Sequence, residues 1–326
     1  KSTLVKCCAE ARAKAGRSAR IAGNYGISFC EQVSKDPVAD DWVIEVSSFQ
    51  LEMVDRFRPD VGILLNVLPN HLDRHGSMDR YLELKLRIFS QMGARQVCVV
   101  PAALAWACGP SAVTFGTEPD ADFQWDAGRV MHAGQAVADF SGTLFDNSVT
   151  GPAMAALAAA FSRVKLPPAC AEEAARNFVP LPHRMQKAAE IRGIEFINNS
   201  KATNLASLAA SLDMTCRPVR LIAGGQAKEK NFEEIKEVLA KRVRTAYLIG
   251  RDSEKMSLAW ADAVPCRMCG DLETAVQTAW SDAREGEVIL LAPGCTSYDQ
   301  FRNFAERGER FMQLAGSLAK ETEDEK

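Results

Sequence analysis

Several large protein classes are excluded by what this chain lacks. No apolar run reaches the ~20 residues that a membrane-spanning helix needs. Charge of neither sign dominates: 39 Lys and Arg stand against 42 Asp and Glu, a formal net charge of -3. The pI is about 5.9, so the chain as a whole carries no basic field to gather nucleic acid or an anionic membrane surface. Aromatic residues are scarce at 7%, and there are only four histidines. No secretory pattern opens the sequence, and no Met begins it. Ten cysteines are irregularly spaced, which suits reduced thiols in a cytoplasm better than a disulfide framework. Cys266 and Cys269 form one C-x-x-C, but no second pair of Cys or His stands nearby to complete a zinc site.

What is present is apolar material, 47% of 326 residues, enough for two domains of ordinary size. Apolar runs alternate with amphipathic helices almost throughout, the pattern of α/β domains with mostly parallel sheets. Trp42–Val46, Val61–Val67 and Gln96–Val100 read as buried parallel strands, with helices over 3–15 and 78–92. Residues 112–150 suggest hairpins, and an Ala-rich helix follows at 152–163. Prolines thicken before residue 180, where a domain boundary is expected. A second alternation then starts: strands at Ile194–Ile197, Val219–Ala223, Thr245–Ile249 and Val288–Leu291, and helices from 203, over 232–241, over 272–283 and over 299–319. That is a second, doubly wound α/β domain with a solvated, frayed tail "KETEDEK".

Chemistry concentrates at predicted strand ends. The chain opens "KST" directly before a helix. Lys1 and Ser2 could be the last two residues of a phosphate loop, GxxxxGK[ST], or an ordinary helix start. Glu45 sits near the C-terminal end of an otherwise apolar strand, where α/β sheets bind ligands. A charge buried there is costly, so it either holds Mg²⁺ beside a phosphate or is an edge or capped Glu. His71, Asp73 and His75 cluster straight after the next strand, as a group that could carry chemistry or as a polar loop with a helix cap. In "SMDRYLELKLRIFSQM", Tyr81, Leu84, Ile88, Phe89 and Met92 share one helix face with Lys85, while Asp79, Glu83 and Arg87 point away. A Lys on a buried stripe either snorkels its tip to water or loses its proton. A neutral amine can add CO₂ and become a carbamate, a new carboxylate able to bind metal. In the second domain, one strand leads into Asn198, Asn199, Ser200 and Lys201, with a helix capped at Thr203 or Asn204. Another leads into a Gly-Gly turn with Lys228 and Lys230, and a third into Pro293-Gly294, with Ser297 near a helix N-terminus. Three polar strand-end loops rich in donors and cations point to an anionic ligand. His183 and Arg184 stand at the domain junction.

These segments together resemble the Mur ligase family over the whole chain. "KST" is similar to the end of its G-T-N-G-K-S-T loop, and "AGNYG", "EVSSFQLE" and "NHLDRHGSMDRYLELKLRIF" follow. "LPHRM", "NNSKATN", "IAGGQAKEKNF" and "APGCTSYDQFRNFAERGERF" then come in the family order. The form of the motifs resembles the D-glutamate-adding branch, because Ser200-Lys201-Ala202-Thr203 stands where relatives adding diaminopimelate or lysine carry a Tyr-Ala-His type motif. The resemblance implies a central P-loop-type ATPase domain with a mostly parallel sheet over 1–180, and a Rossmann-like doubly wound C-terminal domain over 181–326.

It also implies a reaction. ATP phosphorylates the carboxylate of UDP-N-acetylmuramoyl-L-alanine, and the amine of D-glutamate attacks the acyl phosphate. Carried over by motif, Lys1 steadies the β- and γ-phosphates with Thr3 beside it, and Ser2 and Glu45 ligate Mg²⁺. Lys85, as a carbamate, holds a second Mg²⁺ alongside His71. Asn24, Ser47 and His71 contact the muramoyl-alanine, while Asn147, Arg184 and Asn199 hold the nucleotide. Lys201, Thr203, Lys228, Ser297, Tyr298 and Phe304 form the D-glutamate site, with Lys201 also catalytic. The implied setting is a bacterial cytoplasm, a monomer, and no nucleic acid or membrane partner.

Asn199 replaces the usual Asp, Asp146 and Thr150 replace a His and an Asn, and Leu84 replaces an Ala. The loop glycines and a uridine-binding domain do not precede Lys1. The expectation is therefore a ligase fragment that by itself binds ATP poorly. Two other readings stay open: a different amino-acid-adding ligase of the folylpolyglutamate type, and a nucleotide-binding remnant.

Overall fold

A computed structural model describes residues 1–109, 112–229 and 231–324. The chain divides into two compact units, Lys1–Val179 and Pro180–Lys326. Among the described residues no helix is long and apolar enough to cross a membrane.

The first unit opens with helix α1 (Ser2–Lys14), followed by strand β1 (Ala19–Gly23), α2 (Phe29–Lys35), β2 (Asp41–Glu45) and α3 (Ser48–Met53). Strands β1 and β2 pair in parallel, with Gly23 opposite Glu45. A six-stranded sheet is built from β3 (Val61–Ile63), β4 (Val97–Pro101), β5 (Ala112–Gly116), β6 (Phe123–Asp126), β7 (Arg129–His132) and β8 (Gln135–Asp139), in that order. Its first four strands run parallel and its last three form an antiparallel meander. Two helices, α4 (Leu72–His75) and α5 (Met78–Leu86), lie between β3 and β4.

Helix α6 (Gly151–Arg163) is buried almost all round, from Met154 to Phe161, and α7 (Ala169–Arg176) follows it. The alanines of α6 let it lie close on β4, β5 and β6. Gly151 is required at its start, since a Cβ there would stand 2.0 Å from the Trp125 ring.

Several expectations for this unit need correcting. Strand β3 ends at Ile63 rather than Val67. Two positions further its register would bring Leu65 opposite Pro101, which has no N–H to give the ladder. Residues 112–116 form a parallel strand rather than a hairpin arm. The helix expected over 78–92 ends at Leu86 and tightens into a 3₁₀ turn over Arg87–Phe89. Arg87 does not point to solvent. Its guanidinium donates to the carbonyls of Glu52 (3.0 Å) and Val54 (2.6 Å) and so closes the C-terminal end of α3.

The second unit contains β9 (Gln186–Ile191), β10 (Ile194–Asn198), α8 (Leu205–Asp213), β11 (Val219–Gly224), α9 (Lys236–Arg242) and β12 (Val243–Ile249). Then come α10 (Ser253–Trp260), β13 (Cys266–Gly270), α11 (Leu272–Asp282), β14 (Val288–Leu291) and α12 (Phe304–Asp324). The strand order is β13-β12-β11-β14-β10-β9, parallel except for β9. Strand alternation feeds two cores. Leu221, Ala223, Ala246, Leu248, Val288 and Leu290 face α8, α9 and α10. Ile222, Tyr247, Ile249, Ile289 and Leu291 face α11 and α12. Both faces are apolar, which is why these strands read as unbroken apolar runs. Each fully buried aliphatic side chain contributes about 1.5–3 kcal/mol.

The sequence pattern had not predicted β9, α10 or β13. The final helix starts at Phe304 rather than 299, because Ser297–Phe301 is held in turns, the amides of Gln300 and Phe301 donating to the Ser297 carbonyl. The expected frayed tail is helical as far as Asp324, and residues 325–326 lie outside the described residues.

Candidate functional site

In the first unit, four of the predicted residues converge at the end of β2. Glu45 closes that strand and is 4% exposed. Ser2, in the first turn of α1, donates its hydroxyl to Glu45 Oε2 at 2.6 Å. Asn24, just past β1, donates Nδ2 to Glu45 Oε1 at 2.8 Å, and its backbone N–H donates to the Glu45 carbonyl at 2.8 Å. Lys1 Nζ lies 3.5 Å from Glu45 Oε1 and donates to the Val46 carbonyl. Gly23 makes this approach possible: its φ is +100°, and a Cβ would stand 2.3 Å from the Glu45 carbonyl oxygen. Burial by itself would raise the Glu45 carboxyl, but the hydrogen bonds from Ser2 and Asn24 and the charge of Lys1 hold it below the ordinary value. It is an ionised, oriented carboxylate with a hydroxyl beside it.

The first unit holds further predicted residues, which do not all join this cluster. Thr3 is half-buried in the first turn of α1. Ser47 caps α3 in a reciprocal box with Gln50. Lys85 lies in the last turn of α5, donates to the Asn66 carbonyl at 2.9 Å and sits 4.8 Å from the Tyr81 ring centre. Burial first, and the charge of Lys1 second, push its pKa down to about 8. His71 is the N-cap residue of α4 in a left-handed conformation (φ 55°), with its ring 5.0 Å from that of Phe49. His75 has a packing role: it is buried, hydrogen-bonded to Ser48 Oγ at 3.0 Å and stacked on Tyr81. The side chain of Asp73 lies outside the described residues. Among the described residues there is no cluster of three or more His, Cys, Asp or Glu poised for a metal ion. Asn147 spends its amide within its own turn, on Leu144, Val149 and Thr150.

In the second unit the central strand order β11-β14-β10 brings the three polar loops side by side. They are tied by backbone bonds: Gly224 N–H to Pro293 O (2.8 Å), Gly294 N–H to Ala202 O (2.9 Å), and a reciprocal pair between Gln226 and Thr296. Lys201 lies 3.6 Å from the centre of the Phe304 ring, a cation–π contact at the start of α12. Thr203 is half-buried, and Asn204 is the residue that caps α8. Ser297 is buried, in a turn rather than at a helix start, while Lys228 and Tyr298 are exposed. Lys230 lies outside the described residues.

Asn199 turns its side chain inward, donating to Ser211 Oγ (2.7 Å) and accepting from the Met185 N–H (3.3 Å). His183 pairs with the wholly buried Asn198 at 3.0 Å, and burial lowers its pKa. The half-buried Arg184 follows it.

Sequence reasoning missed Arg307. It is 1% exposed and lies under the loops, donating to Ser200 Oγ (3.0 Å), Ser200 O (3.0 Å) and Cys295 O (3.1 Å). Burial pushes its pKa down to about 10, so it remains charged at neutrality. The signal was available. Phe304, Arg307, Phe311, Leu314 and Leu318 fall on one helical stripe, as Lys85 does in α5.

Comparison with known proteins bears on the family and the fold. Residues 24–150 match the Mur ligase middle domain. Residues 183–295 match the Mur ligase glutamate ligase domain. The chain is 37% identical over 321 residues to a UDP-N-acetylmuramoylalanine--D-glutamate ligase of Nitratidesulfovibrio vulgaris, covering 98% of this chain and 70% of that protein. It is 35% identical over 347 residues to the protein of the same name from Caulobacter vibrioides, covering 98% of this chain and 71% of that protein. Among solved structures, MurF ligase from Thermotoga maritima in complex with ADP superimposes with a TM-score of 0.70 at 16% identity, over 100% of this chain and 78% of that one. A pseudomurein peptide ligase type C from Methanothermus fervidus gives 0.72 at 14% identity, over 98% and 76%. Sequence and fold agree, and the chain belongs to the Mur ligase family.

Proposed function

We propose that the protein is an ATP-dependent ligase that joins D-glutamate to the L-alanine carboxyl of UDP-N-acetylmuramoyl-L-alanine in peptidoglycan precursor synthesis, in the bacterial cytoplasm. The names of its 33–37% identical relatives support the substrates. The observation that carries the chemistry is the Ser2–Glu45 pair, 2.6 Å apart at a buried strand end with Lys1 beside it.

In this reading a carboxylate oxygen of the alanine attacks the γ-phosphorus of ATP and ADP leaves. The amine nitrogen of D-glutamate then attacks the acyl carbon, loses a proton, and phosphate departs with the broken C–O bond. Lys1 binds and orients the phosphates. Ionised Glu45 and the Ser2 hydroxyl are hard oxygen donors, and they fit Mg²⁺ completed by phosphate oxygens and water. Such an ion would screen the phosphate charge that builds up during transfer. Lys85 fits a carbamate, since its lowered pKa leaves a share of neutral amine. With His71 it would hold a second Mg²⁺. Asn24 orients Glu45 and, with Ser47, faces the muramoyl substrate.

In the second unit, Lys201, Thr203, Lys228, Ser297, Tyr298 and Phe304 receive the two carboxylates of D-glutamate. Phe304 holds the Lys201 ammonium in place from one side. Arg184, Asn147 and Asn199 serve the nucleotide, the last two through loops they already brace.

The test is phosphate release by the intact protein with ATP, Mg²⁺ and UDP-N-acetylmuramoyl-L-alanine, offering D-glutamate, L-glutamate, L-lysine, meso-diaminopimelate or L-alanine in turn. Release with D-glutamate alone is expected. Release with another amine would move the protein to a sister ligase, and none with any amine would refute the reading.

A further inference from the structure

At the other end of the second unit's sheet, where β11, β12 and β14 begin, lies a cavity of about 580 Å³. Its lining includes Arg220, Arg244, Arg284, Glu285 and Glu287. An adjoining hollow of about 180 Å³ shares Arg244 and adds Arg217, Lys241 and Arg242. Six cations therefore face two carboxylates, in a chain whose overall charge is -3.

Some of that charge is already matched. Arg220 pairs with Glu287 at 2.6 Å and bonds Tyr247 at 3.0 Å. Glu287 also accepts the Arg284 backbone N–H at 3.0 Å, which fixes the floor. Arg217 is held by the Gly193 and Gly286 carbonyls and by Glu195 at 3.4 Å. Among the described residues, the side chains of Lys241, Arg242, Arg244 and Arg284 make no ion pair. Arg242 has its Nε buried without a hydrogen-bond partner. Arg244 and Arg284 are exposed at the rim. Among the described residues that line the two hollows, only Glu285 is left to stand against these four, since Glu287 is taken by Arg220.

We propose that this basic hollow is a second anion site, built to take a short oligophosphate. Guanidinium groups match phosphate oxygens two at a time through charge-assisted hydrogen bonds, and they are more weakly hydrated than ammonium groups. Six cations lining two adjoining hollows offer more donor pairs than the oxygens of one phosphate can take, which suits a linked pair or triple. The site is separate from the strand-end loops, since the six residues of β11 put about 20 Å between the two ends of the sheet.

The test uses the intact protein and tripolyphosphate, inorganic phosphate and ADP as probes, with calorimetry for affinity and amide NMR shifts for place. Tripolyphosphate is expected to bind more tightly than phosphate and to shift the amides of Arg244 and Gly286. The double variant R244E/R284E, altered only at exposed rim residues, is expected to bind it at least about a hundredfold more weakly, roughly tenfold per lost contact. Lys1→Ala is expected to leave these shifts in place, which separates them from phosphate binding at the β2 end. Shifts confined to the strand-end loops or to α1, unchanged affinity in R244E/R284E, or no binding at millimolar tripolyphosphate would each overturn the proposal. A single-stranded oligonucleotide that outcompetes tripolyphosphate would overturn it in favour of a nucleic-acid surface.

Discussion

Replacing Arg307 by Met should loosen the second unit at the place where its three loops meet. The substitution keeps an apolar stem on the buried face of α12 but removes all three donations to Ser200 and Cys295. Two of the lost acceptors are backbone carbonyls, and an acceptor left unpaired in a buried site costs about 1–3 kcal/mol. Removing a desolvated guanidinium returns part of that, because burial had already pushed its pKa down to about 10. A net loss of about 2–4 kcal/mol is expected. It should appear as a lower urea midpoint for the second unit and as faster hydrogen exchange at Gly294, whose N–H bonds the Ala202 carbonyl. If the loops hold D-glutamate, its KM should rise while that for ATP stays nearly constant. Arg307→Lys, with one charge and fewer well-aimed donors, should fall between. A loss below about 1 kcal/mol with unchanged exchange at Gly294 would refute the reasoning, since the network would then be worth no more than an apolar contact.

Other tests reach the first unit. Glu45→Gln should lower ligase turnover by at least about a hundredfold and weaken the dependence on Mg²⁺ concentration; an unchanged magnesium profile would remove Glu45 from the metal site. Glu45 is also held below its ordinary pKa, so the stability it contributes is present above the ordinary carboxylate range and lost as pH falls through the depressed value. Glu45→Gln should therefore flatten the acid limb of the stability profile, and an identical limb would contradict that. For Lys85, a pKa of about 8 leaves about one amine in ten neutral at pH 7, against about one in three thousand at the ordinary 10.5. Carbon-13 bicarbonate should give a carbamate resonance that weakens as pH falls below 8 and vanishes in Lys85→Arg; a resonance that persists in the variant would place the carbamate elsewhere. Gly151→Ala puts a methyl 2.0 Å from the Trp125 ring and should cost about 1–3 kcal/mol despite the better helix propensity of Ala. A neutral or raised melting temperature would show that α6 can shift.

Much of this protein is decided by local sequence. Strands apolar on both faces, as in Val219–Gly224 and Val288–Leu291, bury on either side only if helices cover the sheet, so the doubly wound class follows from pattern alone. Charged residues set into apolar stripes, Glu45 and Lys85, mark themselves because burial is costly without a partner. The edge strand Cys266–Gly270 was hidden by its exposed Arg267 and Met268, and β9 by its charged solvent face. Only the tertiary structure decided which donors meet. Whether β5 runs parallel or antiparallel depends on the route of the chain rather than on its alternation. That β11, β14 and β10 are neighbours, and so bring residues 200, 226 and 295 together over Arg307, is a property of strand order, which residue periodicity does not encode. Pairing of Ser2 with Glu45 across 43 positions, and the gathering of unpaired arginines at the far end of the second sheet, depend on the same long-range order.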